Sequence, residues 1–83
     1  MDVGQIETRV RDALAEQLGL PAAEITAGAR FEEDLDADSL DLVEVVLRLE
    51  EAFEIDIPEQ EMNEVDTVGQ AVDLVARKLG VAA

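Results

Sequence analysis

Apolar residues recur at helical spacing in three stretches of this chain, and the rhythm is lost between the first two. Over residues 3–18, Val3, Ile6, Val10, Leu14 and Leu18 fall three and four apart, which is one face of a helix. Asp2 stands where an N-cap belongs, Gln5 follows three residues later, and Gly19 supplies a stop. Residues 39–53 carry the second pattern. With Leu42 set at zero and about 100° per residue, Leu42, Val45, Val46, Leu49 and Phe53 gather within about 60° of one direction. That stripe predicts the core face, with Asp38 as N-cap and Asp41 near the positive end of the helix dipole. Leu40, Val43 and Leu47 form another stripe, with Glu44 and Glu51 beside it, at roughly 100–200°. The core has no use for this second stripe. Ile57-Pro58 breaks the pattern, and residues 59–64 predict one or two helical turns with Met62 and Val65 inward. Thr67-Val68-Gly69-Gln70 then reads as a capping box, and Val68, Ala71 or Val72, Val75 and Leu79 extend a last helix to Gly80.

Residues 20–37 connect the first two helices without any sustained period. They open on Leu20-Pro21, contain Gly28, and hold scattered apolar anchors at Ile25, Phe31 and Leu35. So long a connection in so small a chain tends to be functional, and Phe31 and Leu35 are expected to pin it to the core. No internal repeat or strand-like alternation stands out. The pattern predicts an all-α, four-helix bundle: three main helices, one short helix, and a long loop between helices one and two. Residues 1–83 read as a single domain.

Composition narrows what such a bundle can do. At 83 residues, a domain buries only about 60% of the surface its unfolded chain exposes, so a deep cleft is hard to build. The chain is 48% hydrophobic but has two Phe and no Trp or Tyr, which predicts an aliphatic core. It has no Cys and no His, which removes thiolate and imidazole metal sites and any nucleophile paired with histidine. No stretch approaches the ~20 apolar residues of a membrane span, and no basic-then-apolar leader opens the chain. A soluble cytoplasmic protein is the expectation.

The net charge is −15, which argues against a nucleic-acid partner and for basic protein surfaces. Its distribution says more than its size. Residues 32–66 hold 15 of the 21 Asp and Glu and a single base, Arg48, while the rest of the chain is nearly neutral. An apolar strip rimmed by one sign of charge, as on the second helix, suits a transient docking surface better than a merely solvated face.

Ser39 is the only serine, and it sits between Asp38 and Leu40 where the acidic loop meets the second helix. Without histidine it lacks the usual activating base, and Lys78, the only lysine, lies far along the chain. A hydrolase is therefore disfavoured, and the chain reads as a non-enzyme. Serine is also common at helix starts, but Asp38 already provides the cap. A modified Ser39 would place an anion where the helix dipole favours it, although its carboxylate neighbours would oppose it. Calcium is a rival use of the same loop. Asp34, Asp36 and Asp38 match the first three ligand positions of an EF-hand, but Ser39 replaces the required Gly and Val45 the final Glu. No dedicated metal site is expected.

The run from Phe31 to Glu44, with Asp38-Ser39-Leu40 inside it, resembles the attachment-site signature of the acyl carrier proteins. Leu49-Glu50-Glu51-Ala52-Phe53 followed by Ile57-Pro58 resembles that family's continuation. The resemblance implies 4′-phosphopantetheine esterified to the Ser39 hydroxyl, with acyl groups carried as thioesters on the prosthetic thiol. It further implies that enzymes read the second helix. Asp38, Asp41, Glu44, Glu50 and Glu51 would meet basic docking patches, and Leu40, Val43 and Leu47 would make apolar contacts. The implied partners are a phosphopantetheinyl transferase and the acyltransferase, ketosynthase, reductase and dehydratase enzymes of fatty acid synthesis. A free-standing monomeric carrier of a dissociated synthase is the expectation. A polyketide carrier is the alternative within the class; an unmodified acidic adaptor or a divalent-cation-binding protein lies outside it. The family often has Gly two residues before the Asp-Ser pair, where this chain has Asp36. Asp tolerates left-handed backbone better than most residues, so the turn is expected to survive.

Overall fold

The computed structural model describes residues 1–81. Four helices follow in order: α1 (Val3–Leu18), α2 (Ser39–Phe53), α3 (Glu59–Met62) and α4 (Val68–Leu79), with a short 3-10 turn at Ala22–Glu24. The three long helices start with the same device, a reciprocal capping box. Asp2 pairs with Gln5, Asp38 with Asp41, and Thr67 with Gln70. Each box satisfies backbone N–H groups that the first helical turn leaves without partners. Gly19 and Gly80 end α1 and α4 in the left-handed conformation. Glu54 does the same for α2 with φ 54°, at a position glycine would occupy more easily.

The close helix packings are α1 on α4 and α1 on α2, whereas α3 approaches no helix as closely. Ile6, Val10 and Leu14 of α1, Val45, Leu49 and Phe53 of α2, and Val68, Val72 and Val75 of α4 are buried together. The all-α bundle expected from the period is the fold observed. The core stripe of α2 is narrower than the wheel indicates, because Leu42 and Val46 are only half-buried. The element that would cover them is α3, and it is a single turn. A groove remains between the two.

Residues 20–37 are irregular but firmly attached. Ile25, Phe31 and Leu35 are buried as expected, and Ala29 and Ala37 join them. Arg11 Nε of α1 donates to the Ile25 carbonyl at 3.0 Å. The Phe31 N–H donates to the Asp66 carbonyl at 3.0 Å. In return, the Val68 and Gly69 N–H groups of α4 donate to the Ala29 and Ala27 carbonyls at 3.0 and 2.8 Å. The loop thus serves as a backbone cap for α4. Gly69 allows the approach, since a Cβ there would lie 3.0 Å from the Ala27 carbonyl oxygen.

Candidate functional site at the start of the second helix

The end of the long loop is wound tightly before it releases the chain into α2. The Asp34 and Leu35 N–H groups both donate to the Arg30 carbonyl, at 2.9 and 3.0 Å, and Ala37 N–H donates to the Phe31 carbonyl at 2.8 Å. Asp34 Oδ2 accepts from the Arg30 N–H at 2.8 Å. Between the buried Leu35 and Ala37, Asp36 adopts φ 56°. This left-handed residue turns the chain so that Leu35 and Ala37 both face inward while Asp38 and Ser39 stand outside. The turn survives with Asp in place of Gly, as expected.

Asp38 Oδ1 accepts from the Asp41 N–H at 2.8 Å, and Asp41 Oδ2 accepts from the Asp38 N–H at 3.2 Å. The two carboxylates therefore carry the capping of α2, and Ser39 is left with none of that work. Ser39 is exposed, is the first residue of α2, and its hydroxyl makes no hydrogen bond among the described residues. Asp34 and Asp38, two of the three carboxylates that suggested calcium, are committed to backbone N–H groups. No group of three ligand-type side chains is placed to hold a metal among the described residues.

Ser39 stands in the wall of an open groove of about 450 Å³ between α2 and α3. Leu42, Val43, Val46 and Leu47 line it from α2, with Ile57, Met62 and Val65 opposite. A larger groove of about 720 Å³ lies on the far side of α3, against α4, away from Ser39. The smaller groove is the one that Ser39 borders.

On the solvent side of α2, Leu40, Val43 and Leu47 are 66%, 56% and 54% exposed, the last two at the lip of the groove. Glu44 and Glu51 are exposed beside them, and Asp38 and Asp41 sit at the serine end. Two of the acids have internal ties. Glu44 accepts from Gln17 Nε2 of α1, and Gln17 Oε1 in turn accepts from Arg48 Nε at 2.6 Å. Glu50 is half-buried, and its Oε2 accepts from the Ile57 N–H at 2.9 Å. Glu50 thus faces the α2–α3 connection, away from the other acids. The wheel sets Glu50 nearer the core edge than the other acids, although it does not give the partner. The half-buried Leu42 and Val46 were likewise assigned by the wheel to the core, although they line the groove.

A small helical bundle that presents one unbonded serine at a helix N-terminus, beside an apolar groove, has the architecture of a carrier of a covalent prosthetic group. The sequence matches the family model for the phosphopantetheine attachment site over residues 8–75. It is 48% identical to the acyl carrier protein of Borreliella burgdorferi (strain ZS7) over 80 residues, covering 96% of this chain and all of that protein. It is 47% identical to the acyl carrier protein of Rubrobacter xylanophilus over 75 residues, covering 90% of this chain and 93% of that one. The chain belongs to the phosphopantetheine attachment-site family: it is a non-catalytic carrier whose prosthetic group is 4′-phosphopantetheine.

Proposed function

We propose that Ser39 is the attachment residue and that the chain, as one monomeric carrier domain over residues 1–83, serves a dissociated fatty acid synthase in the cytoplasm. The observation that carries this reading is the division of labour at the start of α2. Asp38 and Asp41 hold the helix, so the Ser39 hydroxyl is free to accept a phosphoryl group without cost to the fold. The groove beside it has an apolar floor of Leu42, Val46, Ile57, Met62 and Val65 that suits an acyl chain, with Glu32, Glu59, Asn63 and Asp66 also in its lining. No helix among the described residues is long and apolar enough to cross a membrane.

When attached, the arm supplies a thiol on which acyl groups ride as thioesters. The chain's own residues do the rest. The Ser39 oxygen attacks the pantetheine-bearing phosphorus of the coenzyme A pyrophosphate, the bond from that phosphorus to the bridging oxygen breaks, and adenosine 3′,5′-bisphosphate leaves; with no histidine in the chain, the serine proton passes to the transferase. The positive end of the α2 dipole favours the resulting phosphodiester, while Asp38 and Asp41 repel it, so the transferase brings cations to the site. Leu40, Val43 and Leu47 then offer an apolar strip to each enzyme, with Asp38, Asp41, Glu44 and Glu51 steering basic patches toward it. These enzymes are the acyltransferase, ketosynthase, reductase and dehydratase of chain elongation. Glu50 supports the α2–α3 connection and contributes charge at the edge of this face.

Intact mass after incubation with coenzyme A and a promiscuous phosphopantetheinyl transferase tests the assignment. Wild type should gain one phosphopantetheine and Ser39→Ala none, with both folded by circular dichroism. An adduct on Ser39→Ala would move the attachment point elsewhere. A folded, initially unmodified wild type that gains nothing would sink the reading.

A further inference from the structure

The outer wall of the groove beside Ser39 is α3, and α3 has little to hold it. It is four residues long, begins at Pro58 without a side-chain cap, and lies less close to its neighbours than the other helices do. A helix this short has no stability of its own in water. Residues 54–66 carry six acids and no base, so charge repulsion also works to push the segment off the body.

Three side-chain ties oppose this, one of them at the end of the segment, where Gln70 Oε1 accepts from the Asp66 N–H at 2.7 Å. Where the segment leaves α2, Glu50 Oε2 accepts from the Ile57 N–H. In the middle of α3, the Lys78 ammonium of α4 lies 2.8 Å from both Glu61 carboxylate oxygens. Glu61 Oε2 is shut off from solvent and has no hydrogen-bond partner, so the lysine charge is what compensates it. Lys78 is the only lysine in the chain, and it reaches across the second groove to make this pair. The pair ties the middle of α3 to α4 and so holds the segment against the body of the bundle.

We infer that the Lys78–Glu61 pair is a latch that fixes α3 as the groove's outer wall and thereby sets how well cargo on the Ser39 arm is shielded. Lys78 and Glu61 act here as positioning residues. The shielding role rests on the carrier reading above, whereas the latch itself does not.

Both can be read separately. Amide hydrogen exchange on the unmodified protein reports α3 through the Met62, Asn63 and Val65 N–H groups, which bond within the segment. In Lys78→Gln and in Glu61→Gln these amides should exchange about fivefold faster, the factor a part-buried ion pair is worth, while α1 amides keep their protection. The charge-swapped pair Glu61→Lys with Lys78→Glu should bring the rates back toward wild type. Octanoyl thioester loaded on Ser39 should be cleaved by hydroxylamine faster in the single variants by a similar factor. Unchanged α3 exchange in both single variants overturns the latch. Faster exchange with unchanged thioester cleavage overturns the shielding role. A wild type that takes no arm would fail the carrier reading and leave the exchange result to decide the latch.

Discussion

Residues 20–37 and residues 54–67 flank α2 as its two irregular connections, and they are held in different ways. The first carries five buried apolar side chains, Ile25, Ala29, Phe31, Leu35 and Ala37, and exchanges backbone hydrogen bonds with the start of α4. The second buries Ile57 and Met62, half-buries Ile55 and Val65, and is tied by one backbone bond from Phe31 to Asp66 and by the Glu50, Gln70 and Lys78 side chains. The firm connection ends at Ser39, and the looser one forms the wall across the groove. A carrier needs its attachment point fixed, and its cargo space benefits from a wall that can give. The difference follows from what each segment can bury.

Core truncation gives the largest expected contrast. Phe31→Ala removes a ring that is buried against the bundle and should cost about 3–5 kcal/mol, read as a lower denaturant midpoint with an unchanged slope. Ile57→Ala should cost about 2 kcal/mol, at the low end for its type, because the site borders an open groove into which neighbours can relax. Equal losses at the two positions would erase the distinction between the connections.

Screening comes next. Moving from low salt to about 150 mM NaCl should raise the melting temperature by about 5 °C, the shift that about 1 kcal/mol gives in a domain this small. The sign follows from charge: repulsion among the acids of residues 32–66 outweighs the few exposed ion pairs that salt also weakens. A melting temperature that does not move would show that the acidic half is not under strain.

The smallest effects lie at the two left-handed residues that bracket α2. Asp36→Gly and Glu54→Gly should each stabilise by about 0.5–1 kcal/mol, since the strain relieved exceeds the entropy glycine adds to the unfolded chain. Asp36→Asn keeps a residue that tolerates this backbone and removes the charge, so it separates relief of backbone strain from relief of charge repulsion. Destabilisation by both glycines would mean that neither turn is strained.

Most of the bundle was legible because its signals are local. The helix bounds follow from Asp2, Asp38 and Thr67 as caps and from Gly19 and Gly80 as stops, each acting within one turn. The unbonded state of Ser39 was legible for the same reason: a neighbouring Asp already fills the cap. What the pattern hid depends on distant parts of the chain. Leu42 and Val46 sit within the apolar stripe of α2, and only the brevity of α3 leaves them facing a groove. The wheel sets Glu50 nearer the core edge than the other acids of α2, and what it leaves out is the bond to Ile57, which depends on the path of the following connection. The burial of Ala29 and Ala37 came from the loop's register against α4, which has no periodicity to read.

The capping of α2 by Asp38 and Asp41 also bears on what an unloadable form would do among its enzymes. Because Ser39 holds nothing in place, Ser39→Ala should keep the helix and with it the exposed acidic and apolar face of α2. On the proposed reading such a protein would be a decoy, occupying the enzymes that recognise α2 and delivering nothing to them. Produced in excess beside the native chain, it should act as a dominant inhibitor, whereas a variant that unwound α2 would be silent.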